Sequence, residues 1–459
     1  MKFRYFIAII LLFCFPSNLF ALTLDEEKKY GNEVYQQIAR SAKLHSDPYV
    51  SIYMGIIKNR LEAVADLPLP IKLTVIDSPT MDAFATVGGY VFITTGILEQ
   101  CDKEEEIAGV LSHEFAHVGR RHVARSLEKE KFINWGTVAT MLLGMLVPGA
   151  GGSAVMAAGM GAGQAMSLKY TREAEEEADR VGLTTAEKAG YNGLGTAEFL
   201  KKLRTTGLEK MIPQYLLTHP YSEDRIMRIE RAAAPMKTKV DVSLFPFIVA
   251  RTAITGKPLG AQNEEIWLNK YRKDPKNQVN IYGAALVYSM KGNTNQAVSV
   301  LQTMNSPHKP LFLAEILVKN NQFKEAIDLL SNEAHPIGRF LLAKAYEGQG
   351  NLVRAGEVLR EVTPYAAAYP EVYHRLGMVL GRQGNEAGGY EYLGRYYLEL
   401  GKEGPARINL EKAVAKYGIN SKEAQDILKL LEKIKGPREE QKDENRRGFT
   451  GLPHELLQR

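Results

Sequence analysis

Apolar and polar positions along this chain follow two different periods, and the helical period covers most of its length. Helices are predicted from this spacing over 24–67, 103–131 and 170–190. Two short β-like runs at 71–76 and 90–95 are separated by a stretch rich in Gly and Pro, which is typical of a connection between strands. The pattern therefore predicts a mostly helical first half with a small sheet.

Small residues recur in pairs twelve positions apart in the second half of the chain. The pairs are Ala285 with Ala297, Ala314 with Ala326, Ala343 with Ala355, Gly377 with Gly389, and Gly394 with Ala406. Turn sequences lie between the members of most pairs, and antiparallel helices cross closely where both present small side chains. Stacked helix pairs of this kind predict tetratricopeptide repeats. Uneven offsets between the pairs indicate that one helix serves two units, and a plain α-helical bundle is the alternative.

The first 21 residues have the pattern of a secretory signal. Lys2 and Arg4 precede an apolar run over 6–15, and Ala21 offers a cleavage site. The run is shorter than the roughly 20 apolar residues that a membrane-spanning helix needs. We therefore expect cleavage after Ala21 and export to a bacterial periplasm, with an uncleaved membrane anchor as the alternative.

Charge and cysteine content narrow the classes of function. The chain has 58 Lys plus Arg and 53 Asp plus Glu, and loss of two cations with the signal lowers the net charge from +5 to +3. Because these cations are not clustered, we expect no nucleic-acid partner. Cys14 lies in the signal, so Cys101 remains alone, no intramolecular disulfide can form, and we expect an inert buried thiol.

An apolar segment rich in small residues covers 138–165, and Pro148 and neighbouring glycines interrupt it. Each half is too short to span a membrane. The segment predicts a helical hairpin or a mobile lid. Two interpretations stay open: a pair of buried core helices, or a surface that contacts a membrane or an unfolded polypeptide.

The chemical signal of the chain is the run His113-Glu114-Phe115-Ala116-His117 on the second predicted helix. Residues four apart lie roughly 40° from each other around a helix, so both imidazoles face one side and can bind a single zinc ion. Glu114 then lies beside the water that such an ion would hold. The run is short enough to arise by chance, so the surrounding sequence has to support it.

A catalytic zinc needs a third protein ligand and one open position. The carboxylate-rich stretch 171–179 is predicted to be helical, and Glu175 and Asp179 share one face of it. One of them can bind metal while the other orients a ligand histidine. A solvated acidic face is the alternative interpretation.

The histidine run and the carboxylate run together resemble those of the zinc endopeptidases that include HtpX-type and prenyl-protein endopeptidases. With the export signal and the repeats, residues 24–435 are similar to the family of periplasmic beta-barrel assembly-enhancing proteases. The resemblance implies one Zn²⁺ per chain, with His113, His117 and Glu175 as its ligands. It also implies Glu114 as the general base and Asp179 as the partner of a ligand.

The same resemblance gives the fold class and the domain limits. We expect an α+β zincin-type metalloprotease domain, mostly helical with a small β-sheet, followed by an all-α tetratricopeptide-repeat solenoid. The expected divisions are a signal peptide at 1–21, the protease domain at 22–240, the repeat domain at 241–435 and a disordered charged tail at 436–459.

Two further histidines are candidates for a place near this site. In similar proteases a histidine before a proline approaches the zinc, where it blocks the open position or supports the transition state, and His219 is the counterpart here. An exposed loop histidine is the alternative. His122 follows His117 by five residues, off the ligand face, and is expected to be a surface or packing residue.

The strand that follows Gly88 is the expected substrate-binding element. Its glycines permit close approach of a backbone, and an exposed strand edge can pair with an extended peptide. The expected substrate-binding residues are Gly89, Tyr90, Val91 and Phe92.

The expected function is that of a periplasmic zinc endopeptidase that degrades unfolded or misassembled proteins of the outer membrane. Its repeats are expected to bind clients or the outer-membrane barrel assembly machinery, with peripheral membrane contact as an open point. The alternative is a chaperone or adaptor for outer-membrane protein assembly in which His219 largely silences the metal site.

Overall fold

The structure is a computed structural model, and it describes residues 22–128, 138, 142–144, 170–209, 215–256, 260–432 and 434. The predicted signal, most of the apolar segment and the charged tail lie outside the described residues. Within the described ranges, no helix is both long enough and apolar enough to cross a membrane.

The first part of the chain contains nine helices and three strands among the described residues. In chain order they are α1 (Leu24–Ser41), α2 (Pro48–Glu62), β1 (Lys72–Ile76), β2 (Ala83–Ala85), β3 (Tyr90–Thr94), α3 (Thr95–Gln100), α4 (Glu104–Gly119), α5 (His122–Leu127), α6 (Arg172–Lys188), α7 (Gly195–Glu209), α8 (Tyr215–Thr218) and α9 (Glu223–Ala232).

Two helices form where the spacing predicts one helix over 24–67. The first begins at a capping box, in which Thr23 Oγ1 accepts from the backbone N–H of Glu26 and the Glu26 carboxylate accepts from that of Thr23. The second begins at Pro48, a residue suited to the first helical turn, and Asp47 Oδ1 caps it by accepting from the N–H of Tyr49 at 2.9 Å. Because caps and Pro48 interrupt an otherwise continuous apolar period, the predicted single helix is wrong.

The sheet has three strands in the order β1-β3-β2. Strands β2 and β3 are antiparallel, with Phe84 opposite Phe92. Before β3 the chain turns through Gly88 and Gly89, whose φ angles of +80° and +84° favour glycine. The predicted sheet is confirmed, but β2, which lies in the stretch interpreted as a connection, was missed.

Helices α4 and α6 pack against each other at unusually short range. A Cβ atom at Gly182 on α6 would lie only 3.0 Å from the Cα and N atoms of His113 on α4. Glycine at this position lets the backbones of the two helices approach, which brings the carboxylates of α6 to the histidines of α4.

The second part of the chain is entirely helical in the described residues. Its helices are α10 (Phe245–Thr255), α11 (Ala261–Lys273), α12 (Gln278–Met290), α13 (Thr294–Gln302), α14 (Lys309–Lys319), α15 (Phe323–Leu330), α16 (Pro336–Gln349), α17 (Leu352–Val362), α18 (Glu371–Arg382), α19 (Glu386–Glu399), α20 (Glu403–Tyr417) and α21 (Lys422–Glu432).

Consecutive helices in this part pack as pairs through the predicted small residues. The alanines of these pairs are at most 1% exposed, and a Cβ atom at Gly377 would lie 3.0 Å from the carbonyl oxygen of Gly389. Helix α19 packs against both α18 and α20, so one helix serves two units as the spacing indicated. The predicted α+β domain followed by a tetratricopeptide array is confirmed.

The chain divides into two compact units. The first comprises the chain up to Lys43, Leu61–Lys72 and Ser78–Val240, and the second comprises Leu44–Arg60, Leu73–Asp77 and the chain from Asp241 onward. The predicted metal-binding residues all lie in the first unit and the helix pairs in the second. The domain limits at 22–240 and 241–435 stay a prediction.

Candidate metal centre and active site

Helix α4 carries the two histidines and the glutamate of the predicted motif. His113 is 1% exposed, and Glu114 and His117 are fully buried. The four-residue spacing places both rings on one face, with His113 Nε2 and His117 Nε2 3.0 Å apart. Two imidazole nitrogens therefore converge on one point inside the protein.

Helix α6 and the residue after α8 complete the cluster. Glu175 Oε2 lies 3.6 Å from His113 Nε2, and Glu175 Oε1 lies 3.3 Å from His117 Nε2. His219 Nδ1 lies 2.9 Å from Glu175 Oε1 and 3.3 Å from His113 Nε2. Each of the four residues offers a ligand atom, and all four atoms lie within 4.8 Å of one another.

This donor set fits a metal ion. Three imidazole nitrogens and a carboxylate oxygen are ligands that divalent transition metals take in proteins. Burying such groups face to face is costly unless a cation or a set of protons holds them together. The structure thus brings together the three residues predicted as ligands, with His219 as a fourth donor.

Asp179 lies behind the cluster, as expected for a residue that orients a ligand. Its Oδ1 atom is 3.1 Å from His113 Nδ1, the ring nitrogen that faces away from the other ligands. Burial would raise the pKa of Asp179, but His113 and Arg225 outweigh this effect and lower it.

Arg225 on α9 is the counter-charge of the site and is 2% exposed. Its guanidinium donates to Asp179 at 2.7 and 2.9 Å and lies 2.5 Å from Glu175 Oε2. It also donates to the carbonyl oxygen of Pro220 at 3.3 Å. Arg225 therefore fixes two carboxylates and the segment that follows His219.

Burial and charge set the protonation of the histidines before metal binds. Burial would lower the pKa of His113, but Glu175 and Asp179 raise it to about 9. Burial lowers the pKa of His117 well below its usual value; Glu175 offsets this only in part, and the charges of His113 and His219 lower the pKa further. A metal that takes His113 Nε2 must displace a proton, so metal affinity falls with decreasing pH.

Glu114 has the properties of a general base. Burial raises the pKa of its carboxyl above the usual value, while His219, His113 and the backbone of Ala85 offset part of this rise. A raised pKa makes a carboxylate a better proton acceptor near neutral pH. Its Oε1 atom lies 3.3 Å from His219 Nε2.

Two tyrosines that the sequence interpretation missed pack on the histidine rings. Tyr170 stacks on His117 with ring centroids 3.7 Å apart, and Tyr215 stacks on His219 at 4.5 Å. No spacing rule singles them out, because Tyr170 lies before α6 and Tyr215 is the first residue of the short helix α8.

His122 is also part of the site, contrary to the prediction that it lies off the ligand face. It is 6% exposed, and its Nδ1 atom lies 2.9 Å from Nδ1 of His117. Helix α4 ends at Gly119, and Arg121 takes a left-handed conformation with φ of 55°. Because this break turns the chain before α5 begins, a residue five positions on returns to the ligand histidine.

The predicted substrate-binding strand is wrong in one essential respect. Strand β3 is the middle strand of the sheet, and Val91 and Phe92 are fully buried. A paired strand has no free backbone groups for a peptide, so Gly89, Tyr90, Val91 and Phe92 cannot form the expected exposed edge. The edge strands of this sheet are β1 and β2.

A buried His-Glu-x-x-His helix with a carboxylate ligand from a second helix defines a metalloendopeptidase. Residues 55–233 match Peptidase family M48, and this range contains every member of the cluster. The protein therefore carries a domain of peptidase family M48 and is a metalloendopeptidase, as predicted.

Several curated relatives resemble this chain. The Beta-barrel assembly-enhancing protease of Escherichia coli (strain K12) is 28% identical over 361 residues, which cover 74% of each chain. The Putative beta-barrel assembly-enhancing protease of Vibrio cholerae serotype O1 is 34% identical over 58% of this chain and 57% of its own. The Mitochondrial metalloendopeptidase OMA1 of Schizosaccharomyces pombe is 28% identical over 48% of this chain and 65% of its own.

Among solved structures, the tetratricopeptide-repeat protein YrrB is similar to 37% of this chain over 91% of its own, with 19% identity and a TM-score of 0.27. This score is too low to carry an argument. The repeat assignment therefore depends on the helix pairs described above.

Proposed function

We propose that this protein is a zinc endopeptidase of the bacterial periplasm that degrades unfolded or misassembled outer-membrane proteins. The observation that carries this proposal is the convergence of His113, His117 and Glu175 beside Glu114 within one M48 domain. The names of the bacterial relatives support the outer-membrane context, and the signal-like sequence at 1–21 supports export.

His113, His117 and Glu175 would hold the zinc ion. When bound, zinc acts as a Lewis acid and lowers the pKa of water from 15.7 to about 7. Glu114 takes the proton of the attacking water and passes it to the nitrogen of the leaving amine, which its raised pKa favours. Arg225 and Asp179 keep Glu175 and His113 in place during this proton transfer.

His219 offers a fourth ligand atom, which would take the position that a catalytic zinc leaves open. Its ring is fully buried, with Glu175 on one nitrogen and Glu114 on the other. This position favours a closed resting state, and it supports the second candidate function, a chaperone or adaptor with a largely silenced site. In both candidate functions, the helix pairs of the second unit would bind clients or the barrel assembly machinery.

Glu114→Gln tests the proposed chemistry. The amide cannot accept the proton, so degradation of unfolded casein by the chain from Leu22 should fall at least about 100-fold, while zinc content stays at one ion per chain. Glu176→Gln is the matched control, because Glu176 lies on the exposed side of α6 and pairs with Arg172 and Arg228. Undiminished casein degradation by Glu114→Gln would mean that Glu114 is not the base.

His219→Ala separates the two candidate functions. If His219 closes the site, its removal should increase cleavage of a short unstructured peptide by about 10-fold or more, since the fourth donor is gone. A decrease would assign His219 to transition-state support, and equal rates would remove it from the mechanism. Bound zinc should be measured in parallel, so that loss of metal is not mistaken for loss of catalysis.

A further inference from the structure

The two ligand histidines of α4 have different partners on the ring nitrogen that faces away from the cluster. For His113 this nitrogen lies 3.1 Å from Asp179 Oδ1. For His117 it lies 2.9 Å from His122 Nδ1, and His122 Nε2 lies 3.2 Å from Glu177 Oε2. Each of these nitrogens is thus connected to a carboxylate of α6. His113 reaches Asp179 directly, whereas His117 reaches Glu177 through the imidazole of His122.

The tautomers of these two rings follow from their contacts. A neutral His117 that presents a lone pair on Nε2 to a metal carries its proton on Nδ1. That proton points at His122 Nδ1, which must accept it with a lone pair. His122 then carries its own proton on Nε2, where the Glu177 carboxylate accepts it. One arrangement of protons satisfies every contact in this path.

We propose that His122 is a positioning residue for His117, which joins this ligand to Glu177 through two hydrogen bonds and fixes its ring and tautomer for metal binding. The proposal rests on the proposed metal site, since it concerns how one of its ligands is held. Partners of this kind, one step removed from the metal, typically contribute 10- to 100-fold in metal affinity.

The surroundings of His122 are built for this role. The left-handed turn at Arg121 directs the ring back toward α4, and Tyr170 covers a face of His117. Arg120 Nε lies 3.4 Å from Glu177 Oε1 and holds the carboxylate from its other oxygen. The ring of His117 is thus held both by stacking and by a directed hydrogen bond.

Two substitutions distinguish positioning from packing. His122→Phe retains an aromatic ring but has no acceptor, whereas His122→Asn is smaller but places an oxygen close to where Nδ1 lies. If His122 positions His117, the Phe variant should bind zinc about 10- to 100-fold more weakly than wild type and the Asn variant should recover most of the loss. If His122 only fills space, the Asn variant should bind zinc more weakly than the Phe variant, because asparagine is the smaller residue.

The measurement is the dissociation constant for zinc alone, by competition with a chromogenic chelator, on the chain from Leu22. Glu176→Gln serves as the control on α6, and thermal unfolding of the metal-free variants shows that each is folded. Wild-type affinity in the Phe variant, or equal weakening in Phe and Asn, would overturn the proposal. His117→Ala is measured alongside, because unchanged zinc affinity in that variant would refute the metal site itself rather than the role of His122.

Discussion

The two compact units of this protein stabilise their helices by different means. In the first unit, α4, α6 and α9 meet at a buried group of histidines, carboxylates and one arginine. In the second unit, consecutive helices cross closely through buried alanine and glycine residues. The polar contacts of the first unit fix the positions of individual side chains in the candidate metal site. The small-residue crossings of the second unit bring neighbouring helices close together in the same way from pair to pair.

The second unit also contains a buried arginine, Arg251. Arg251 is 5% exposed and donates to Asp47 at 2.8 Å, to Tyr282 at 2.9 Å and to Glu315 at 2.7 and 2.9 Å. Buried charge is thus present in both units. The buried arginine holds the candidate metal ligands in the first unit, whereas it joins three helices in the second.

Removal of each buried arginine tests that comparison and should give the largest effect on stability. Arg225→Ala and Arg251→Ala each leave two carboxylates without their cation, which should cost about 3–5 kcal/mol of unfolding free energy. Arg225→Ala should be the more costly, because Glu315 beside Arg251 is 20% exposed while Asp179 is 7% exposed.

Urea unfolding of the metal-free protein measures the loss of unfolding free energy in both variants. Zinc affinity shows which of the two arginines also supports the metal site. We expect weaker zinc binding in Arg225→Ala and wild-type affinity in Arg251→Ala. Equal loss of zinc affinity in the two variants would show that buried charge does not serve different purposes in the two units.

A smaller effect is expected from alanine at the close helix crossings. Gly182→Ala places a methyl 3.0 Å from backbone atoms of His113, and Gly394→Ala places one 2.6 Å from Leu410 Cγ. Overpacking should cost about 1–3 kcal/mol in each, offset by up to ~1 kcal/mol from the higher helix propensity of alanine.

The two glycine variants should differ in function rather than in stability. Gly182→Ala pushes α6 away from His113 and should lower zinc affinity and casein degradation, whereas Gly394→Ala should leave both unchanged. Circular dichroism during thermal unfolding, with zinc titration, checks both statements. Normal zinc binding by Gly182→Ala would mean that the close approach of α4 and α6 does not position the ligands.

Much of the site could be predicted from the sequence because its residues lie on regular helices. The spacing of His113 and His117, and of Glu175 and Asp179, fixes which side chains share a face. The repeats were predictable for the same reason, since small residues recur in pairs twelve positions apart and the alanines of these pairs are buried.

The other features of the site depend on where helices and strands end. The spacing of apolar residues does not predict these ends. His122 returns to the site because of a left-handed residue. Strand β3 is central because three residues, Ala83–Ala85, form an additional strand that is too short to show a period. Tyr170 and Tyr215 contact the ligand rings from positions just outside or at the start of helices, so their place follows from tertiary packing.

The central claim is that one metal ion is held jointly by two histidines of α4 and a carboxylate of α6. The most direct test is zinc stoichiometry in the purified chain, measured by mass spectrometry of the metal after dialysis, for wild type, Glu175→Ala and Glu176→Ala. We predict one zinc per chain in wild type and in Glu176→Ala, and much less than one in Glu175→Ala. Full zinc occupancy in Glu175→Ala would contradict the account.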